Sequence, residues 1–357
     1  MTNVLSFKAP SRPQTVEARV GALLHCFATE RRIGDDVFWL KENAELLNVL
    51  ETAGIAVPRE ALAPHQGFYD GVEKRLSFFP QYYRFLVSIA LDLEDLGMPG
   101  DKGCQLVEWV VENDLVGAEL SDLQRLEARR LCLRRGLEPL PHDTGLEDRV
   151  RRFTERSATF ALPNKKAAYE LTHAVFYLSE YGRKDPMLGD ATVASLHYAG
   201  LLAFLEQNAD LLAEICVAMR FAGLTPPEAW TTWIDRDAHL FHVECDRTAS
   251  VNDDYHAFLM CNWAQLIADR RAFTKYYELG RMRFEAPRPS AAPLRQMSEC
   301  MYNLEDRRGG WEQMRGRVWS ELCPDAQDVL AAAEASSTHF DGFFQDFARA
   351  ASMGVTL

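Results

Sequence analysis

From about residue 15 to about residue 350 the apolar residues return every three to four positions, and no stretch alternates apolar with polar. Successive residues of a helix are about 100° apart, so this period gathers them on one face, whereas a half-buried strand needs a period of two. The chain is thereby confined to helices packed on helices. TVEARVGALLHCFATERR sets Val16, Val20, Leu23, Leu24 and Phe27 on one stripe. DDVFWLKENAELLNVLETAG carries a cap at Asp35 or Asp36 and a stop at Gly54; YYRFLVSIALDLEDLG stops at Gly97; NKKAAYELTHAVFYLSEYG starts behind Asn164 and stops at Gly182. PPEAWTTWIDRDAHLFHVECDRT predicts one helix over 227–247, VNDDYHAFLMCNWAQLIADRRAF another, and a further long helix begins near Asp325. Asn-Gly hairpin signals are absent.

The expected fold is therefore all-α: antiparallel helix pairs in a single body, either α/α-toroid-like or α-solenoid-like. Residues 1–13 read as a disordered lead-in and 14–357 as one helical domain. The segment 138–145, which contains PLPHDTG, is too short for a flexible linker and reads as an internal loop.

Charge narrows the partners. The formal net charge is −13, so phosphate backbones and anionic lipids are repelled, and neither nucleic acid nor membrane is expected as a partner. Arg129, Arg130, Arg134 and Arg135 form a local basic cluster, read as a solvated helix face. The eight cysteines form no CxxC pair and read as buried thiols in a reducing compartment. The N-terminus has no signal-peptide core, and no run approaches the roughly 18 apolar residues of a membrane span. A cytoplasmic location is expected.

GxGxxG, P-loop and GxSxG motifs are absent, which leaves nucleotide cofactors and serine hydrolysis without support. Three segments hold candidate chemistry. On 165–181, Glu170, His173, Tyr177 and Glu180 share one arc; a carboxylate beside an imidazole suits general acid–base work. Glu170 and His173 form an ExxH pair, but a di-iron site needs a second one, which the chain lacks. In VNDDYHAFLMCNW, His256 falls in the first turn of a helix, whose dipole disfavours imidazolium, so a neutral His256 is expected. On 227–247, Asp235, His239, His242 and Asp246 fall within about 60° of one another. They extend over about 16 Å, too far for one ion, and are read as two i, i+4 ion pairs rather than a metal site. Asp92 and Asp95 in LDLEDLG lack the full DDxxD pattern of diphosphate-binding cyclases.

AYELTHAVFYLSEYG (168–182) is similar to an [AE]LTHxxFYxTDFG signature of uncharacterised actinobacterial proteins, and DDYHAFLMCNWA (253–264) to their YHTTLV segment. The N-terminal LLHCFATERRIGDDVFWLKENAELLNVLE resembles hypothetical α-proteobacterial proteins. The resemblance implies an uncharacterised bacterial all-helical family and picks out Glu170, Thr172, His173, Tyr177, Tyr255 and His256. Ser179 and Glu180 stand where Thr-Asp is usual, and Ala257 and Phe258 where Thr-Thr is usual.

Two functions compete. The first is an enzyme with a central polar pocket in which Glu170, His173, Tyr177 and His256 perform acid–base or single-metal chemistry on a small molecule; metal and cofactor remain open. The alternative is an interaction module that binds a protein partner, with structural histidines and exposed aromatics in FFQDFARAASM.

Overall fold

The computed structural model describes residues 14–34, 36–289 and 291–350. The lead-in read over 1–13, and Asp35, lie outside them. Among the described residues there are 17 α-helices and one two-stranded sheet, so the all-α expectation holds with one small exception.

In chain order the helices are α1 (Val16–His25), α2 (Val37–Thr52), α3 (Gln66–Phe78), α4 (Tyr83–Asp95), α5 (Lys102–Glu112), α6 (Asp122–Leu133), α7 (Leu146–Thr154), α8 (Ser157–Phe160) and α9 (Lys165–Leu178). They continue as α10 (Asp190–Glu206), α11 (Ala209–Phe221), α12 (Glu228–Leu240), α13 (Tyr255–Ile267), α14 (Pro293–Asn303), α15 (Trp311–Ser320), α16 (Pro324–Ser336) and α17 (Phe340–Ala348).

Local chemistry sets many of these boundaries. A helix leaves its first N–H groups without partners, and a side-chain oxygen ahead of it can accept one. Thr15 accepts from the Ala18 N–H, Asp36 from Phe38, Asn164 from Ala167 and Asn208 from Leu211. Gly97 ends α4 in the left-handed region at φ +107°, where other residues are strained.

α10 is buried around nearly its whole circumference. It packs against α7, α8, α9, α11, α14, α16 and α17 and so forms a hub of the body. Gly200 lets it approach α12 closely, since a Cβ there would fall 2.3 Å from the buried Trp230 ring. α6 and α7 pack on each other across the 138–145 loop, and both rest on α9.

The structure corrects three readings. The helix expected over 227–247 ends at Leu240; Phe241 turns extended, at φ −50° and ψ 134°, and buries its ring against Phe258. Residues His242–Cys245 then form β1, antiparallel to β2 (Met282–Glu285), with His242 opposite Glu285. Tertiary pairing overrides the local helical pattern here. The aromatics of FFQDFARAASM are buried: Phe343, Phe344 and Phe347 are at most 1% exposed, with Phe344 against Trp311. The basic cluster of α6 is not a solvated face. Arg129 pairs with Glu138 and Glu147, Arg134 with Asp92 and Asp95, and Arg135 with Glu94 and Asp95, while Arg130 is only 6% exposed.

The eight cysteines are all free. Among the described residues no helix is long and apolar enough to cross a membrane.

Candidate functional site

Six helices, α2, α4, α6, α9, α11 and α13, leave a cavity of about 570 Å³ between them. Its wall is aromatic along Phe85, Phe176, Tyr177, Tyr181 and Trp263, and charged at Glu45, Arg130, Asp210, Glu214 and His256.

The charged group is built from the first turns of α11 and α13 with α2 beside them. Asp210 and Glu214 are one turn apart on α11, a helix otherwise rich in Leu, Ile, Val and Ala. α11 packs lengthwise on α13, which brings His256 opposite them. His256 Nδ1 meets Asp210 Oδ1 at 2.8 Å, and Nε2 faces Glu45 Oε1 at 3.7 Å and Glu214 Oε1 at 3.8 Å. Asp210 Oδ2 accepts from the Tyr169 hydroxyl at 2.8 Å, and Glu214 Oε2 accepts from Thr172 at 2.7 Å. One ligand atom each from Asp210, Glu214 and His256 lie within 4.8 Å of one another, a set able to hold a metal ion.

These neighbours divide the protons unequally. Burial alone would push the His256 imidazole down, but Glu45, the Asp210 hydrogen bond and Glu214 outweigh it and hold the ring up at about 10. His256 is therefore an imidazolium at neutral pH, contrary to the neutral ring expected from its place in the first turn. A helix dipole is equivalent to roughly half a charge, and here it is opposed by whole carboxylate charges at close range. Burial pushes the Glu214 carboxyl up, reinforced by the charge on Asp210. Asp210 goes the other way: burial would raise it, but the hydrogen bond and charge of His256 hold it below the usual carboxylate range. Burial lowers His173 to about 4, with the His256 charge adding to the effect, so His173 is neutral. Burial, then the charge on Glu127, raises Tyr177 well above 10, so it stays a phenol.

Of the four residues singled out in the sequence, three line the cavity: His173, Tyr177 and His256. Glu170 does not. Its side chain is 41% exposed and faces Lys166 across 3.9 Å. The cavity-facing row of α9 runs Tyr169–His173–Tyr177 at i, i+4 steps, so the arc is centred on His173 and excludes position 170. His256 takes no part in capping its own helix. Asp253 binds Arg31, Asp254 accepts from the Ala286 N–H, and His256 points to α11. His239 lies near Asp235, at 3.7 Å, but His242 is on β1 and faces Glu244 at 3.6 Å rather than Asp246. Asp92 and Asp95 are held by arginines.

Asp210, Glu214, Glu45 and Tyr169 went unread in the sequence, and Arg130, read there as part of a solvated face, lines the cavity. One signal was available: Glu214 sits inside the apolar run LLAEICVAM, and a carboxylate there must find a partner or keep its proton.

A family model described as Domain of unknown function (DUF6902) matches residues 1–350, and the chain belongs to that family. No curated protein and no solved structure matches the chain.

Proposed function

We propose that this member of the DUF6902 family is an enzyme that holds a small molecule in the six-helix cavity and moves protons on it through Glu214, His256 and Asp210. The observation that carries this reading is the opposed displacement of neighbouring acids in one cavity, with Glu214 raised, Asp210 lowered and His256 charged. Groups whose environments drive their proton affinities apart are how a site provides an acid and a base at one pH.

The roles follow from the contacts. Glu214 keeps Oε2 on Thr172, which leaves Oε1 to hand a proton to the bound molecule. The carboxylate left behind gains from the imidazolium Nε2, which lies 3.8 Å from that oxygen. Asp210 takes the Nδ1 proton in a hydrogen bond and fixes the ring plane, and Tyr169 steadies Asp210 from behind. His173, kept neutral by burial, is a proton acceptor on the same wall. The phenol of Tyr177 is a hydrogen-bond donor there. A concave lining in which aromatic rings stand beside converging polar groups suits a small-molecule site.

A second reading uses the same side chains as metal ligands, favoured by the 4.8 Å clustering of Asp210, Glu214 and His256. A cation there must displace the His256 proton, so its binding should weaken as pH falls.

The test is turnover of a panel of small organic acids, esters and amines by the wild type and by Glu214→Gln and His256→Gln, each checked for native circular dichroism. Loss of about 10²–10⁴-fold in turnover is expected in either variant. Equal turnover in both variants overturns the assignment. Stoichiometric metal that is present in the untagged wild type and lost in both variants replaces it with the metal reading.

A further inference from the structure

Arg130 is the one arginine of the α6 cluster that is buried without a carboxylate of its own. It is 6% exposed, and its Nε and Nη2 are buried with no hydrogen-bond partner. Its guanidinium lies 4.3 Å from the centre of the Tyr181 ring, on the wall of the six-helix cavity. Two acids, one on its own helix and one on the adjoining α4, are already engaged. Glu127 is taken by Arg84, which Glu119 also holds at 3.0 Å, and Asp92 by Arg134 at 2.7 Å. Among the described residues, no ion pair joins Arg130 to an acid.

A buried guanidinium with open donors is costly, and it persists where something else supplies the negative charge. The fork of an arginine matches the paired oxygens of a carboxylate or phosphate, and Tyr181 holds it flat for that approach. Around it the wall is aromatic, from Phe85, Phe176, Tyr177 and Trp263. We infer that Arg130 is the anchor for the anionic group of the cavity's ligand, so that the ligand is a small organic carboxylate or phosphate with an apolar or aromatic body. This rests on the reading of the cavity as a small-molecule site, and it names the substrate class. The acidic group of α11 and α13 then faces a different part of the bound molecule from the one that Arg130 grips.

The experiment measures binding without turnover, by calorimetry and thermal shift on the full chain, with phenyl phosphate, benzoate and neutral benzyl alcohol as probes. Phenyl phosphate and benzoate are expected to bind and raise the melting temperature, and benzyl alcohol to do neither; whichever anion binds more tightly identifies the source chemistry. Arg130→Gln should weaken the anions by about 10- to 100-fold. Arg130→Lys, which keeps the charge and loses the fork, should fall between, and Arg295→Gln, a change on the exposed face of α14, should bind as wild type. Arg130→Met should fold with an unchanged or raised melting temperature, since no counter-charge is left stranded. The inference is overturned if neither anion binds up to about 10 mM, a dissociation constant worth only about 3 kcal/mol. It is also overturned if Arg130→Gln binds as wild type, or if Arg130→Met unfolds, which would make the guanidinium structural. Binding through Arg130 with no turnover that depends on Glu214 would keep this inference and remove the enzymatic reading; the converse result would do the reverse.

Discussion

Replacing Arg31 by methionine should cost more stability than any surface change in this protein. Arg31 follows the turn Cys26–Glu30 and is 2% exposed. Its Nε donates to Glu42 Oε2 at 2.8 Å. Nη1 and Nη2 form a fork on the two oxygens of Asp253, both at 2.8 Å, and Nη1 also reaches the Met282 carbonyl at 2.8 Å. The rings of Phe27, Tyr255 and Phe284 close over the guanidinium at 5.1, 5.1 and 5.3 Å. Both acceptor side chains are 1% exposed, so removing the arginine leaves two carboxylates in a dry interior. Glu42 retains Arg32, whose Nε lies 2.8 Å from Oε1, but Asp253 keeps no guanidinium. Breaking a buried pair from one side costs about 3–5 kcal/mol, and methionine fills most of the volume, so little of that loss comes from a void. For a chain of 357 residues the unfolding entropy is about 0.75 kcal/mol/K, so each kcal/mol moves the melting temperature by about 1.3 °C, a fall of roughly 4–7 °C. Urea denaturation followed at 222 nm measures it. Adding Asp253→Asn to Arg31→Met should recover about half of the loss, because the one stranded charge is then gone while Glu42 keeps Arg32. Asp253 Oδ1 also accepts from the Tyr255 N–H at the start of α13, so the single variant should disturb His256 as well. A loss below about 1 kcal/mol in the single variant, or a double variant no more stable than the single, would refute the reasoning.

Two further predictions concern histidines outside the cavity. His65 is wholly buried, with Nε2 2.8 Å from Asn43 Oδ1 and Nδ1 without a partner, and burial lowers it to about 4. Its folded proton affinity lies below the unfolded one, so its contribution is present above about pH 6.5 and lost as pH falls through about 4, a change of about 3 kcal/mol. Urea midpoints from pH 7 to pH 4 should fall less steeply in His65→Gln than in the wild type, and parallel curves would rule this out. The double variant His239→Gln with His242→Gln should keep the wild-type melting temperature, because the two side chains are 60% and 66% exposed and exposed pairs contribute at most about 1 kcal/mol. A larger drop, or loss of a bound metal, would return those two histidines to a functional role.

What could be read along the chain was whatever is settled within four residues. The caps at Asp36 and Asn164 and the stops at Gly97 and Gly182 involve only neighbours in sequence, and the 3.6-residue period follows from the geometry of the helix itself. His173, Tyr177 and His256 could be picked out for the same reason, as polar groups on otherwise apolar helices. The rest depended on what stood opposite. The end of α12 was decided by a strand partner some forty residues later and by the pocket that receives Phe241. The proton on His256 was decided by Asp210, 46 residues earlier in the chain, and by Glu45 on α2. Glu170 and Tyr169 are adjacent in sequence, and only the placing of α11 against α9 sends one to solvent and the other to Asp210. The same holds for Arg130, which looks like its arginine neighbours in the sequence and differs from them because α4 supplies carboxylates to Arg134 and Arg135 and none to it. Charge and burial act through space over a few ångströms, and a helical period specifies the face of a residue but not the partner that face will meet.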